Sequence, residues 1–150
     1  MVKILFVCLG NICLSTMAEY VMKYLVEQAG VEKEFYIDSA GTSSEETGNG
    51  VHHGTRRRLR QAGIPCGGHR ARKMTAADYG RFDLLIGMEA SNLRAMERIT
   101  GGDPAGKIHR LLEYAGRPAD IADPWYTGDF DATFDDVLEG CQALLRQLGK

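Results

Sequence analysis

The residues best suited to chemistry in this chain of 150 residues lie close to its N-terminus, between Cys8 and Ser15. Cys8 follows the apolar, β-favouring residues 3–7, and Ser15 precedes a run with helical spacing, so the residues between them form a strand-to-helix turn. Gly10 and Asn11 both tolerate left-handed backbone angles, which allows successive N–H groups to point inward around an anion. The helix N-terminus adds partial positive charge. The segment therefore predicts a phosphate-binding loop.

Such a loop would make Cys8 a nucleophile, because amide dipoles favour its thiolate and lower its pKa. An unperturbed thiol is only about 3% ionised at pH 7, so a shift of this kind matters. The alternative interpretation of Cys8 is a buried cysteine at a strand end. The order of strand, Cys-x-Gly-Asn, serine and helix favours the nucleophile.

The elements that must position this loop alternate along the chain. Strands are predicted at 3–7, 35–40, 83–87 and 107–112, and helices at 16–29, 52–62, 89–99 and 132–148. The prediction is a single-domain, three-layer α/β/α fold with a four-stranded parallel sheet in the flavodoxin-like order 2-1-3-4. Ligands of such sheets bind beyond the carboxyl ends of the strands. Cys8, Thr42, Glu89 and Asp123 can therefore converge on one site, with residues 45–50 as a rim.

Composition limits the remaining classes of function. The apolar share of 44% and charged share of 25% are ordinary for one globular domain, here residues 1–150. A net charge of −2 predicts no nucleic-acid partner. We find neither a membrane-spanning apolar run nor a signal peptide, so the cytoplasm is the expected compartment. The four cysteines and four histidines lack metal-ligand spacing, which predicts no metal and no cofactor.

The chain resembles the low-molecular-weight protein tyrosine phosphatases over nearly its whole length. Five segments carry the resemblance in the family's order, namely 7–13, 38–42, 63–72, 88–93 and 123–126. The family's loop reads Cys-x5-Arg-Ser. The resemblance therefore implies a phosphate-binding loop made of Leu9, Gly10, Asn11, Ile12, Cys13 and Leu14.

The resemblance also implies a mechanism. The Cys8 thiolate attacks the phosphorus of an aryl phosphate, and Asp123 first protonates the leaving oxygen and then activates water. Ser15 donates a hydrogen bond to the Cys8 sulfur. The remaining expected residues are Thr42, Trp125 and Tyr126 as pocket walls, and Ser39 and Glu89 as support for the loop. Cys13 is either a small packed residue or the partner of oxidised Cys8 in a reversible disulfide.

Leu14 stands where the family has arginine. That arginine makes two charge-assisted hydrogen bonds to the phosphoryl oxygens and stabilises the transition state. Losing two bonds of about 1.5–3 kcal/mol each costs about 3–6 kcal/mol, or about 10²–10⁴-fold in rate or affinity. A weak or inactive phosphatase is predicted, unless an arginine of 56–58 substitutes. Thr16 replaces the family's proline, which predicts a looser loop exit. A capping box from Thr16 to Glu19 is also expected.

Three other functions compete with the phosphatase. A catalytically silent domain would bind phosphotyrosine peptide or free phosphate. An arsenate reductase would need further cysteines placed for a disulfide relay, and Cys66 and Cys141 are far apart in sequence. A phosphocysteine carrier would be shorter and would lack the Asp-Pro segment. As partners of a phosphatase we expect a phosphotyrosine protein or a small aryl phosphate, with inorganic phosphate as product or inhibitor. The protein itself is expected to be a monomer.

Overall fold

The structure, a computed structural model, describes all 150 residues. The strands are β1 (Val2–Cys8), β2 (Phe35–Gly41), β3 (Leu84–Gly87) and β4 (Ile108–Arg110). The helices are α1 (Leu14–Gln28), α2 (His53–Gln61), α3 (Asp78–Arg81), α4 (Ala90–Thr100), α5 (Pro124–Thr127) and α6 (Phe130–Gln147). Two 3₁₀ turns, Glu32–Glu34 and Leu111–Ala115, complete the regular structure.

The four strands form one parallel sheet in the order β2-β1-β3-β4, which confirms the predicted architecture and strand order. The chain leaves β1 toward β2 on one side and reaches β3 on the other. The carboxyl end of β1 is therefore the point where the strand order reverses, where ligands of open α/β sheets bind. Cys8 is the last residue of β1 and pairs with Gly41, the last residue of β2.

Strand β1 carries the core on both of its faces. Ile4 and Phe6 belong to a large apolar cluster that also contains residues of α1 and α6. Leu5 and Val7 belong to a second cluster, which includes Met96 of α4. Successive side chains of a strand point to opposite faces, so this division places helices on both sides of the sheet, as the three-layer prediction requires. None of the helices is both long and apolar enough to cross a membrane.

Two local differences from the predicted elements bear on the site. Strand β4 ends at Arg110, earlier than predicted, because the chain turns into a 3₁₀ helix at Leu111. The segment after Asp123 forms the short helix α5, which the sequence did not indicate. Its N-cap is Asp123, whose carboxylate accepts a hydrogen bond from the Trp125 N–H at 2.9 Å. Asp123, the expected acid, therefore also caps a short helix.

Candidate active site

The loop after β1 has the backbone geometry of an anion cradle. Asn11 is the one non-glycine residue with a positive φ, 60°, and its N–H donates to the Cys8 Sγ at 3.3 Å. Gly10 does not adopt the left-handed angles that it tolerates. A close approach instead requires glycine at position 41, where a Cβ would lie 2.8 Å from the carbonyl oxygen of Leu9. The loop thus rests directly on the end of β2.

Asn11 fixes the direction of the hydrogen bonds beneath the loop. Its Nδ2 donates to the Ser15 Oγ at 3.0 Å and to the Ser39 Oγ at 2.9 Å, while its Oδ1 accepts from the Arg72 N–H at 3.0 Å. Because both serine oxygens accept from Asn11, their own protons are free to point elsewhere. The Ser15 Oγ lies 3.0 Å from the Cys8 Sγ, and Ser39 donates to the buried carboxylate of Glu19. Ser15 is thereby set to donate to the cysteine sulfur.

Two further side chains brace this network from outside the loop. The His69 Nε2 lies 2.8 Å from the carbonyl oxygen of Asn11, and the His69 Nδ1 lies 3.9 Å from a Glu19 carboxylate oxygen. Lys23 forms an ion pair with the second oxygen of Glu19. The hydrogen bonds that hold the loop therefore come from α1, from β2 and from the segment before α3, and none of them involves the side chain at position 14.

A pocket opens above Cys8. Its floor is formed by the loop, and its walls come from the segment after β2 and from α5. The lining residues are Cys8, Leu9, Gly10, Ile12, Cys13, Ser43, Glu45, Glu46, Asp123, Trp125 and Tyr126. Trp125 and Tyr126 are 54% and 73% exposed, which leaves much of their surface free for a ligand. Of the expected wall residues, Thr42 lies elsewhere, in an adjoining cavity that also contains Glu89, Leu9 and Asp123.

Leu14 is absent from the pocket lining. Its side chain is completely buried and belongs to the large apolar cluster between the sheet and α1. The pocket is lined by three carboxylates and by no arginine, lysine or histidine. The arginines of α2 do not replace the missing cation, since Arg58 pairs with Asp131 at 2.8 Å and Arg56 lines a separate cavity with Cys66. The cradle therefore presents backbone N–H groups without a cationic side chain.

Comparison with known proteins identifies this arrangement. The family model described as "Low molecular weight phosphotyrosine protein phosphatase" matches residues 3–150. The chain belongs to this family. It is 39% identical to the low molecular weight protein-tyrosine-phosphatase YfkJ of Bacillus subtilis, over 100% of this chain and 97% of that protein. It is 34% identical to PtpA of Staphylococcus aureus (strain MRSA252), over 100% and 96% of the two chains.

Solved structures agree. The crystal structure of YfkJ superimposes with a TM-score of 0.96 at 38% identity, covering 99% of this chain and 95% of that one. The low molecular weight protein tyrosine phosphatase SP-PTP of Streptococcus pyogenes superimposes with a TM-score of 0.89 at 37% identity, covering 99% and 93%. These matches confirm the family resemblance stated from the sequence. A low-molecular-weight protein tyrosine phosphatase is a cysteine-dependent hydrolase.

The electrostatics of this phosphatase site differ from the prediction. Burial raises the pKa of the Cys8 thiol, more than the hydrogen bonds from Ser15 and the Asn11 N–H lower it, and the nearby Asp123 carboxylate raises it further. The depressed pKa predicted from the loop alone is not found in this chain, because burial outweighs the hydrogen bonds to the sulfur. Burial also raises the pKa of Asp123, against the lowering effect of its bond from the Trp125 N–H. Asp123 thus keeps its proton to a higher pH than an ordinary aspartate.

Thr16 makes hydrogen bonds at the loop exit that the sequence analysis did not consider. Helix α1 begins at Leu14, so Thr16 lies within its first turn. The Thr16 hydroxyl lies 2.9 Å from the carbonyl oxygens of both Ile12 and Cys13 and donates to this pair. The predicted capping box with Glu19 does not form, because the Glu19 carboxylate binds Ser39 and Lys23 instead.

The other cysteines differ in their access to the site. Cys13 lines the pocket, and burial raises the pKa of its thiol to about 12. Cys141 is completely buried behind α1, while Cys66 lies beside another cavity with Ile64 and Pro65. All four cysteines are free thiols. The structure thus brings Cys13, and neither of the two distant cysteines, to Cys8.

Several residues of the site escaped the sequence analysis as individuals. Glu45 and Glu46 were expected only as part of a rim, and Ser43 was not considered. His52 packs edge-on against Trp125, with ring centroids 5.4 Å apart, and its backbone N–H donates to the Ile12 carbonyl oxygen. The only available signal was position: Glu45 and Glu46 follow a strand end, and His52 immediately precedes a helix.

Proposed function

We propose that this chain acts as a protein tyrosine phosphatase through a phosphocysteine on Cys8, and that Leu14 weakens its activity. The observation that carries the proposal is the position of the Cys8 Sγ. It lies 3.0 Å from the Ser15 Oγ and 3.3 Å from the Asn11 N–H nitrogen, at the floor of a pocket whose wall contains Asp123.

In the first step, the Cys8 thiolate attacks the phosphorus of an aryl phosphate. The S–P bond forms as the bond between phosphorus and the phenolic oxygen breaks, and neutral Asp123 gives its proton to that oxygen. The raised pKa of Asp123 supports this role, because its neutral form persists to a higher pH than that of an ordinary aspartate. Trp125 and Tyr126 flank the leaving aromatic ring.

In the second step, water attacks the phosphorus of phosphocysteine. The Asp123 carboxylate takes a proton from that water, the S–P bond breaks, and inorganic phosphate leaves. The Ser15 hydroxyl stabilises the departing thiolate, since Asn11 already donates to its oxygen and leaves its proton free for sulfur. No metal is required for either step, because backbone N–H groups supply the charge stabilisation.

Leu14 limits both steps in this proposal. It supplies neither the charge nor the paired donors that the family's arginine gives to the phosphoryl oxygens. The raised pKa of Cys8 adds to the deficit, since a smaller fraction of the chain carries the thiolate at neutral pH. The expected partners are phosphotyrosine proteins or small aryl phosphates, with phosphate as product or inhibitor. A monomer in the cytoplasm remains the prediction.

A catalytically silent phosphate-binding domain is the second candidate, favoured by the same lack of a cation in the pocket. Two of the other candidates have less support. A disulfide relay of the arsenate-reductase type needs accessible partners for Cys8, and Cys141 is fully buried. A phosphocysteine carrier has no use for an acid such as Asp123 beside the sulfur.

Steady-state hydrolysis of para-nitrophenyl phosphate separates the two main candidates. The unmodified chain is expected to exceed its Cys8→Ser variant at every pH, and Asp123→Asn is expected to be slower by about 10²–10⁴-fold. If the unmodified chain is no faster than Cys8→Ser while both bind phosphate, the silent binding domain is the correct function.

A further inference from the structure

We propose that the mouth of the pocket selects phosphotyrosine with a basic residue beside it, through Glu45 and Glu46. The inference rests on the proposed function, because it concerns the substrate of the same pocket. Cys8 and the loop amides fix where the phosphate group lies, and the carboxylates therefore face the residues that flank the phosphotyrosine.

Glu46 lies directly over the phosphate loop. Its Cγ is 3.4 Å from the position that a Cβ on Gly10 would take, and the Asn49 Nδ2 donates to its Oε2 at 2.6 Å. Glu46 therefore has a preferred orientation over the loop. The Glu45 side chain is exposed beside it, and its backbone N–H bonds to the Ser43 Oγ at 3.1 Å. These two carboxylates make no ion pair within the chain.

The charge of Glu45 and Glu46 matters because no basic side chain lines the pocket. Leu14 is turned into the core, and Asp123 enters the first step as a neutral acid. A phosphate group that enters brings further negative charge. A substrate with an arginine or lysine beside its phosphotyrosine supplies the positive charge that the protein lacks, and so reduces this repulsion.

The cavity on the other side of Asp123 carries less negative charge than the mouth formed by Glu45 and Glu46. Glu89 lines it with Tyr126, and burial together with the neighbouring carboxylates of Asp123 and Asp120 raises the pKa of Glu89. Its one basic lining residue is Arg98. The basic residue of the substrate is therefore expected on the side of Glu45 and Glu46 and not beside Glu89.

Trp125 provides a direct measurement of binding. It is the only tryptophan of the chain and lies in the pocket wall, so its fluorescence reports occupancy. The experiment uses the Cys8→Ser variant to prevent turnover, with phosphotyrosine peptides of equal length flanked by arginine, alanine or glutamate. Phenyl phosphate serves as the ligand without flanking residues.

The arginine peptide is expected to bind about threefold to tenfold more tightly than the alanine peptide at low salt, in line with two exposed ion pairs. The glutamate peptide is expected to bind most weakly, and added salt should reduce all differences. The double substitution E45Q/E46Q should abolish the preference, because glutamine keeps the size and the acceptor for Asn49. The matched control E27Q/E32Q removes two exposed glutamates at the far end of α1 and should leave the preference unchanged.

The outcomes separate this inference from the proposed function. If phenyl phosphate is bound, and is hydrolysed by the unmodified chain, while the three peptides bind equally, only the charge selection is wrong. The same holds if the preference survives in E45Q/E46Q. If no phosphorylated ligand changes the fluorescence and hydrolysis is absent, both the function and the selection are wrong.

Discussion

Replacing Leu14 with arginine is expected to raise kcat/KM for an aryl phosphate by about 10²–10⁴-fold. The gain arises from two charge-assisted hydrogen bonds to the phosphoryl oxygens, at about 1.5–3 kcal/mol each. The side chain of residue 14 lies in the apolar cluster, so the arginine must turn from that cluster toward the pocket to make these bonds. The loop contacts of Asn11, Ser39 and Gly41 do not involve residue 14 and can stay in place. A second effect acts in the same direction, because a guanidinium near Cys8 should lower the pKa of its thiol.

The same substitution is expected to destabilise the unliganded protein. Leu14 is completely buried in the large apolar cluster, and removing a buried leucine from a core costs about 2–5 kcal/mol. A cation in the first turn of α1 adds about 0.3–1 kcal/mol. The apolar stem of arginine recovers part of this loss, so the free energy of unfolding should fall by about 2–4 kcal/mol. Phosphate at 100 times its Kd should return about 2.7 kcal/mol.

The assay is initial-rate hydrolysis of para-nitrophenyl phosphate from pH 5 to 9, with thermal unfolding measured with and without phosphate. Two matched variants isolate the cause. Leu14→Lys supplies a point charge without the bidentate geometry and should recover only part of the gain. Leu14→Met keeps an apolar side chain of similar volume and should leave the rate unchanged.

A clear result would refute the reasoning. If Leu14→Arg is folded and its melting temperature rises with phosphate, but its kcat/KM stays within threefold of the unmodified chain, the missing guanidinium does not limit the reaction. If Leu14→Met raises the rate as much as Leu14→Arg, the effect comes from core packing and not from charge.

Further predictions concern the acid, the nucleophile and the loop. Because burial raises the pKa of Asp123, the fall of kcat/KM that follows its deprotonation should occur at a higher pH than for an ordinary aspartate. Asp123→Asn should remove that limb of the pH profile, and a limb that persists in the variant belongs to another group. Alkylation of Cys8 by iodoacetamide should be slow at pH 7, become faster above the ordinary thiol pKa and be blocked by phosphate. Rapid alkylation at pH 6 would show that the amide dipoles outweigh burial. Gly41→Ala should displace the loop, because its Cβ would lie 2.8 Å from the Leu9 carbonyl oxygen. It should lower phosphate affinity at least tenfold, whereas Gly68→Ala, at an exposed glycine, should not. Equal affinities of the two variants would contradict the close approach.

The phosphate loop was predictable because its signals are local. The pattern Cys-x-Gly-Asn between an apolar strand and a helix already indicates an anion cradle, and the positive φ of Asn11 agrees with that prediction. The parallel sheet followed from the alternation of strands and helices. Strand β4 was overestimated because apolar residues continue through Leu112, where the chain has already turned into a 3₁₀ helix.

Long-range properties could not be obtained in the same way. The pKa of Cys8 depends on how completely the fold buries it, and the sequence reports the favourable dipoles without the burial. Likewise, Glu45 and Glu46 acquire their position over the loop from the path of the chain after β2, which no periodicity encodes. The sequence comparison considered only the proline that Thr16 replaces. It could not show that the Thr16 hydroxyl reaches the carbonyl oxygens of Ile12 and Cys13.

The hydrogen bonds that join Asn11 to Ser15 and Ser39 have an evolutionary consequence. Since these hydrogen bonds do not involve the side chain of residue 14, a substitution there leaves the bonds that shape the loop in place. A lineage can lose the catalytic charge at Leu14 and still inherit an intact, foldable site. Leucine and arginine codons can differ by a single nucleotide, so one point mutation could return the charge to a site already built to receive it.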